Sequence, residues 1–255
     1  MRRPFLKPFL LLMYAFLMLT VFVAAGCVLA LFRDRRKAMQ QVAVVYFRHL
    51  AALWGVTNEV DGWDELPADI REGRQPVIYI ANHTSYLDAM MLTCNLPNHP
   101  VYLAKIEMLF IPVLGLGCWV GGCIFINRHN RPKAIASMKR AARLIHGGAT
   151  IAAFPEGTRT KDGQLQPARS GIGLTVIKST APVVPVRVFG TFEAYGRQHK
   201  LPRPYPVAVR YGKPLDFSAL RAEAKTCDKV RLKDIYQQVA DEIMAAIGQL
   251  ELPAK

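Results

Sequence analysis

VIYIANHTSYLD, residues 77–88, changes character at its midpoint, where five apolar residues run without a break into a polar cluster. Residues 77–81 show no polar–apolar alternation, so a strand here has both faces covered. That pattern belongs to a parallel sheet packed between helices. Asn82 to Asp88 then supply polar groups and a helix start where the strand ends. In open sheets of this kind, ligands bind beyond the carboxyl ends of the strands. The stretch therefore sets both a fold and a place to look for chemistry.

The same pattern recurs on either side of it. VYLA (101–104), CIFIN (123–127), IAAF (151–154), VVPVRV (183–188) and VAVRY (207–211) read as further strands. Between them, PKAIASMKRAARLIHGG (132–148) reads as an amphipathic helix with Ile135, Met138, Ala142 and Ile145 on one face. Pro132 starts it and Gly147-Gly148 ends it. A last helix follows a capping Asp228 and turns Ile235, Val239, Ile243 and Ile247 inward. The expected fold is α/β, a mostly parallel central sheet flanked by helices. One catalytic domain is expected over residues 56–255, after an N-terminal helical segment over 1–55.

Every polar cluster of note follows a strand: NHTSYLD after VIYIA, Arg128 after CIFIN, PEGTR after IAAF. His83 and Asp88 are five residues apart, about 140° around an ideal helix, so they would not share a helical face. They meet if His83 lies in the loop and the helix begins near Thr84 or Ser85. Asp88 can then orient the imidazole as a base-plus-orienter pair requires. The H-x-x-x-x-D spacing is cheap by chance and gains weight from its strand-end position and from Asn82. Ser85 lacks the G-x-S-x-G setting of an exposed nucleophile and reads as a helix-start residue. In FPEGTRT (154–160), Pro155 stops strand pairing and Gly157 allows close backbone approach. Arg159 offers a planar fork for phosphate oxygens. Glu156 either orients Arg159 or accepts from a substrate hydroxyl; an ordinary turn with a solvated Arg–Glu pair would look the same.

Bulk properties narrow the partners. The 255-residue chain carries a net charge of +14, is 51% hydrophobic, and has a mean hydropathy of +0.14. Such a balance favours anionic partners: phospholipid head groups, nucleic acid or a polyanionic cofactor. The charge is scattered and no nucleic-acid reader motif is present, which disfavours nucleic acid. The five cysteines are odd in number and form no C-x-x-C pair, which speaks against a disulfide framework or a zinc site. No metal is expected.

Residues 8–32, PFLLLMYAFLMLTVFVAAGCVLALF, contain no charge. As a helix they extend about 37 Å, enough to cross a hydrocarbon core of roughly 30 Å. Arg2, Arg3 and Lys7 precede the run, and Arg33, Arg35, Arg36 and Lys37 follow it. Ala25-Gly26-Cys27 faintly resembles a lipoprotein cleavage site, but VLALF follows directly where a mature lipoprotein turns polar. A full crossing and a hairpin returning to the same face both fit. Residues 33–55 place Val42, Val45, Tyr46, Leu50 and Leu53 at helical spacing among basic residues. That suits a helix lying on an anionic membrane surface or one packed on the catalytic domain.

Together these segments resemble the glycerolipid acyltransferase family, typified by 1-acylglycerol-3-phosphate acyltransferases. The family's four ordered motifs stand here as NHTSYLD (82–88), GCIFINR (122–128), FPEGTRT (154–160) and PVVPV (182–186). The resemblance covers roughly residues 56–215, and FPEGTR is its most specific part. It implies that His83 is the general base acting on the acceptor's free hydroxyl, with Asp88 orienting it and Asn82 in support. Arg128 and Arg159 would bind the acceptor phosphate, in a pocket shaped by Glu156, Gly157 and Thr158. Lys105 in LAKIEM matches a basic position common in relatives, and Pro185 would line the acyl-donor or acceptor groove. Relatives often carry P-F-K-x-G where this chain has PARSG (167–171): Arg169 keeps the charge, while Ala168 replaces a large aromatic.

The implied reaction needs no cofactor beyond its co-substrate, acyl-CoA or acyl carrier protein. 1-Acylglycerol-3-phosphate is the leading acceptor. Glycerol-3-phosphate, another lysophospholipid or lyso-ornithine lipid are alternatives, and a non-catalytic membrane lipid-binding protein is the reading of another class. The expected partners are a phospholipid membrane and the two substrates, and the expected location is the inner membrane with the catalytic domain facing the cytoplasm.

Overall fold

The computed structural model describes residues 6–97 and 99–253. Arg2 and Arg3 lie outside the described residues, as does the side chain of Lys7. The chain opens with two long helices, α1 (Leu6–Leu29) and α2 (Arg35–Trp54), followed by strand β1 (Val56–Asp61) and a short α3 (Ala68–Arg71). Strand β2 (Ile78–Ala81) leads to α4 (Leu87–Asn95), and β3 (Val101–Lys105) leads to a 3-10 turn (Ile106–Phe110), α5 (Leu114–Val120) and β4 (Ile124–Ile126). Next come α6 (Arg131–His146), β5 (Ile151–Ala153), α7 (Gly171–Ile177) and β6 (Val183–Phe189). The remainder is α8 (Thr191–Tyr195), β7 (Tyr205–Tyr211), α9 (Ser218–Glu223) and α10 (Lys229–Gln249).

The seven strands form one sheet in the order β1-β7-β6-β2-β5-β3-β4. From β6 to β4 all neighbours pair in parallel, so five strands end at one edge. Strand β7 runs antiparallel to β6, and β1 pairs in parallel with β7, so these two run the other way. The sheet is thus mixed, with the parallel part that the apolar runs predict.

Period-2 alternation explains why those runs are wholly apolar. Val77, Tyr79 and Ala81 face a core shared with α2 and α4, where Tyr46, Leu50, Leu87, Met91 and Leu92 are buried. Ile78 and Ile80 face the opposite core with Ile145 of α6, Val176 of α7 and Ile235, Val239, Ile243 and Ile247 of α10. Both faces are covered, so each residue is buried whichever way it points. All four α10 residues expected inward are buried, and Asp228 caps that helix by accepting from Val230 and Arg231 N–H. In α6 the buried face is Ala141, Ala142 and Ile145, while Ile135, expected inward, is 37% exposed.

Helix α2 returns alongside α1. Gly26 lies against Met39 and Val42, and Tyr46 donates its hydroxyl to the Ala15 carbonyl at 3.0 Å. Asp34 caps α2 by accepting from the Arg36 and Lys37 N–H groups, and Gly55 closes it at φ 66. Residues buried on α2 are Ala38, Met39, Tyr46 and Leu50, while Val45 and Leu53 are exposed. The helix packs on the domain through α4 and β1. Helix α1 contains one stretch, Phe9–Leu29, long and apolar enough to cross a membrane, and only 17% of its most apolar window is buried.

Candidate active site

The parallel strands deliver the polar loops to one edge of the sheet. Loop 82–86 follows β2, the FPEGTR loop follows β5, Lys105 ends β3 and Asn127-Arg128 follow β4. Asn82 bridges two of these strands, since its amide donates to the Val188 carbonyl at 3.0 Å and accepts from Val188 N–H at 2.7 Å. A side chain here continues the β2–β6 ladder after the main chain has turned away.

His83 and Asp88 meet. Nδ1 of His83 lies 2.8 Å from Asp88 Oδ2. Helix α4 begins at Leu87, later than expected, and Asp88 in its first turn reaches back over its own loop. The same Oδ2 accepts from the N–H groups of Thr84 (2.7 Å) and Ser85 (2.8 Å). Oδ1 accepts from the Thr191 hydroxyl at 2.6 Å, delivered by the turn after β6. Asp88 is fully buried, so this set of donors takes the place of water around its charge. The neutral tautomer that donates from Nδ1 to this carboxylate has its lone pair on Nε2. The ring stacks on Phe154 at 4.2 Å between centroids and 15° between planes. Ser85 is buried, donating to the Tyr195 carbonyl and accepting from Leu87 N–H, as a helix-start residue does.

The FPEGTR loop is tied to the histidine loop. Glu156 Oε1 accepts the His83 N–H at 3.2 Å, and Thr160 N–H donates to the His83 carbonyl at 3.0 Å. Glu156 thus faces the main chain of His83. It neither pairs with Arg159 nor lies open to a ligand, being 3% exposed. Burial pushes its carboxyl up to about 8, the His83 N–H opposes this, and the Asp88 charge adds to it.

The arginines divide into two groups. Gly157 turns at φ 75, and a Cβ there would lie 3.1 Å from Arg169 Cδ and Nε and 3.7 Å from Arg128 Cζ. Arg128 and Arg169 therefore converge on the bare Gly157 backbone, and neither has an ion-pair partner among the described residues. Burial and the Arg169 charge lower the Arg128 pKa, while Glu107 opposes them. Two guanidiniums held together without a protein anion make a place for a dianionic ligand. Arg159 lies elsewhere, flat on the Tyr86 ring at 3.3 Å, with its Nη1 buried and unpartnered. Thr158 is exposed at the turn.

Three further residues named from the sequence have these surroundings. Lys105 pairs with Glu107 at 3.0 Å. Pro185 is buried inside β6 opposite Ile80 and against Gly212, away from the strand ends where a groove would open. Its missing N–H is tolerated because pairing with β7 starts only at Val186. Ala168 is buried in the α10-side core, so the lost aromatic is a change of core packing. Thr191, Phe154 and Tyr86 are the site residues that sequence reasoning passed over.

The sequence pattern of the acyltransferase family matches residues 58–189. The 1-acyl-sn-glycerol-3-phosphate acyltransferase of Limnanthes alba is 34% identical over 186 residues, 72% of this chain and 63% of that protein. The alpha form from Ovis aries is 29% identical over 215 residues, covering 82% of this chain and 73% of its own. That of Limnanthes douglasii is 36% identical over 165 residues, 64% of this chain and 58% of that protein. This chain thus spans less than two thirds of the two plant relatives. In three dimensions it resembles the crystal structure of the 1-acyl-sn-glycerophosphate acyltransferase of Thermotoga maritima, with a TM-score of 0.69 at 19% identity, covering 97% of this chain and 98% of that one. On sequence, with a fold in agreement, the chain belongs to the acyltransferase family.

Proposed function

We propose that the protein transfers a fatty acyl group from an acyl thioester, acyl-CoA or acyl carrier protein, to the free hydroxyl of 1-acylglycerol-3-phosphate. The product is phosphatidic acid, an intermediate of phospholipid synthesis. The observation that carries this reading is the His83–Asp88 pair, Nδ1 to Oδ2 at 2.8 Å, beside two unpartnered guanidiniums at Gly157. The names of the relatives support the choice of acceptor.

In this scheme the acceptor phosphate lies between Arg128 and Arg169, with Arg159 adding charge from its Tyr86 shelf. His83 Nε2 takes the hydroxyl proton as the oxygen attacks the thioester carbonyl. The tetrahedral intermediate collapses, the C–S bond breaks, and the imidazolium passes its proton to the leaving sulfur, which departs as the thiol and regenerates the base. Asp88 stabilises that transient positive charge. General-base help is typically worth ~10²–10⁴ in rate, and holding both substrates in place contributes several kcal/mol more. The reaction so written uses no metal or redox group. The apolar α1 and the positive charge support membrane association, and the chemistry, which draws on acyl thioesters made in the cytoplasm, favours the inner membrane with the site on that side.

The test incubates purified protein with labelled acyl donors and a panel of lyso-acceptors and identifies the lipid product. His83→Ala is expected to lower turnover by ~10²–10⁴ while the protein stays membrane-bound. Arg128→Ala and Arg169→Ala are expected to raise the acceptor KM and leave the donor KM unchanged. Normal turnover by His83→Ala, or an effect of both arginine variants on the donor alone, would overturn the assignment.

A further inference from the structure

We propose that residues 106–120, the 3-10 turn and α5 between β3 and β4, form a second lipid-contacting element. It inserts into the same phospholipid monolayer as α1, at the rim of the active site. The inference rests on the reading of a membrane enzyme but goes beyond the N-terminal helices.

Four large apolar side chains stand out from this short segment: Phe110 at 76% exposure, Ile111 at 45%, Leu116 at 50% and Trp119 at 57%. Single exposed apolar residues are ordinary on a soluble surface, whereas a cluster marks an interaction site. The packing of the segment is inverted for a helix in water. The 3-10 turn buries no residue, and α5 buries only Gly115 and Gly117. A Cβ at Gly117 would lie 3.0 Å from Val23 of α1, and one at Gly121 would lie 3.3 Å from Met39 of α2. Small residues face the neighbouring helices and bulky ones face outward, the arrangement of helices packed within lipid. No charged residue occurs from Met108 to Asn127.

The occupant follows from continuity. The face of α5 abuts α1, whose own Phe9, Leu10, Met13, Phe16, Leu17 and Val21 are exposed, so the two apolar surfaces join. Arg128 stands after the segment, Arg36 lies 3.3 Å from where a Gly122 Cβ would be, and Lys105 before the segment pairs with Glu107 inside it. Cations at the border of an apolar patch suit anionic head groups, and Trp119 is the residue type that settles at that boundary. The chain also spends backbone strain here. Val113, β-branched, sits at φ 65 and ψ −54 in a γ-turn closed by Leu114 N–H to the Pro112 carbonyl at 2.7 Å. Residues of this type avoid that conformation unless something is gained by it. The two strands that leave the patch carry Lys105 and lead to Arg128. The patch would therefore fix the depth of the phosphate clamp in the monolayer, so that an acceptor keeps its chain in lipid while its head group reaches the base.

The test uses the full chain bound to phosphatidylcholine–phosphatidylglycerol vesicles whose acyl chains are brominated. Tryptophan emission is compared between the wild type and Trp119→Phe. The expected result is quenching and a blue shift in the wild type, lost in Trp119→Phe while that variant still co-sediments with vesicles. Phe110→Ser combined with Leu116→Ser is expected to cut transfer to vesicle-embedded acceptor at least tenfold and to leave turnover of detergent-dispersed acceptor within about twofold. Vesicle binding without quenching at Trp119, or equal losses in the two assays, overturns this inference and leaves the membrane reading standing. Failure of the wild type to bind vesicles overturns both. Shielding of Trp119 by acyl carrier protein in the absence of lipid would assign the patch to the donor and also overturn the inference.

Discussion

Tyr86 fills one of the unspecified positions in the N-H-x-x-x-x-D pattern, yet it covers one face of the Arg159 guanidinium at 3.3 Å. Tyr195 braces it from behind, with ring centroids 5.4 Å apart. A cation over an exposed ring gains ~0.5–1 kcal/mol, and more when desolvated. Tyr86→Ala is therefore expected to raise the acceptor KM about two- to tenfold with little change in kcat, and Tyr86→Phe is expected to restore it; steady-state kinetics on the three proteins measure this. Glu156 gives a pH signature. Its carboxyl keeps a proton up to about 8, whereas an exposed Glu loses it near the ordinary value of 4.5. Between those two values the unfolded chain holds fewer protons, so stability from this group is full below about 4.5 and falls as pH rises through about 8. Thermal melts from about pH 5 to pH 9 should show Tm declining in the wild type and declining less in Glu156→Gln, which keeps an acceptor for the His83 N–H.

Among the elements, glycine decides one contact that no pattern of apolar residues discloses. Helix α7 crosses α10 at Gly173, where a Cβ would overlap the Tyr236 carbonyl oxygen. Gly173→Ala is expected to cost on the order of 1–3 kcal/mol, as overpacking does, read as a lower Tm. The elements that were legible in the sequence share a cause, since a strand covered on both faces must be apolar throughout. Strand β1 escaped because VTNEVD, at the sheet edge, buries Val56 alone and has neither alternation nor an apolar run. The His83–Asp88 meeting could be argued from spacing plus a helix start. The Thr191 hydroxyl on Asp88 could not, because 103 residues separate the pair and the β2–β6 pairing that brings them together is not written in either segment. The contact of Glu156 with the His83 main chain was hidden for a related reason. Its neighbour in sequence is Arg159, whereas its neighbour in space is a backbone N–H on another strand's loop.

For the molecule as a whole, a net charge of +14 and an apolar α1 would make two separable contributions to the proposed membrane binding. Raising salt from 0.1 to 1 M shortens the screening length from ~10 to ~3 Å. Sedimentation with anionic vesicles should then weaken in proportion to the charge contribution, while binding to neutral vesicles should hold. A last consequence lies in the strand order. Strand β2, which leads to His83, and β5, which leads to Gly157, are adjacent and paired. Their spacing of ~4.8 Å is set by main-chain pairing and indifferent to side-chain motion. The imidazole is held at its edge by Asp88 and on its face by Phe154. In the proposed scheme, an acceptor gripped by its phosphate at Gly157 would offer the base whichever hydroxyl that spacing reaches. Regiochemistry would then belong to the sheet, which acts as a ruler, and loop substitutions would change rate without changing which position is esterified.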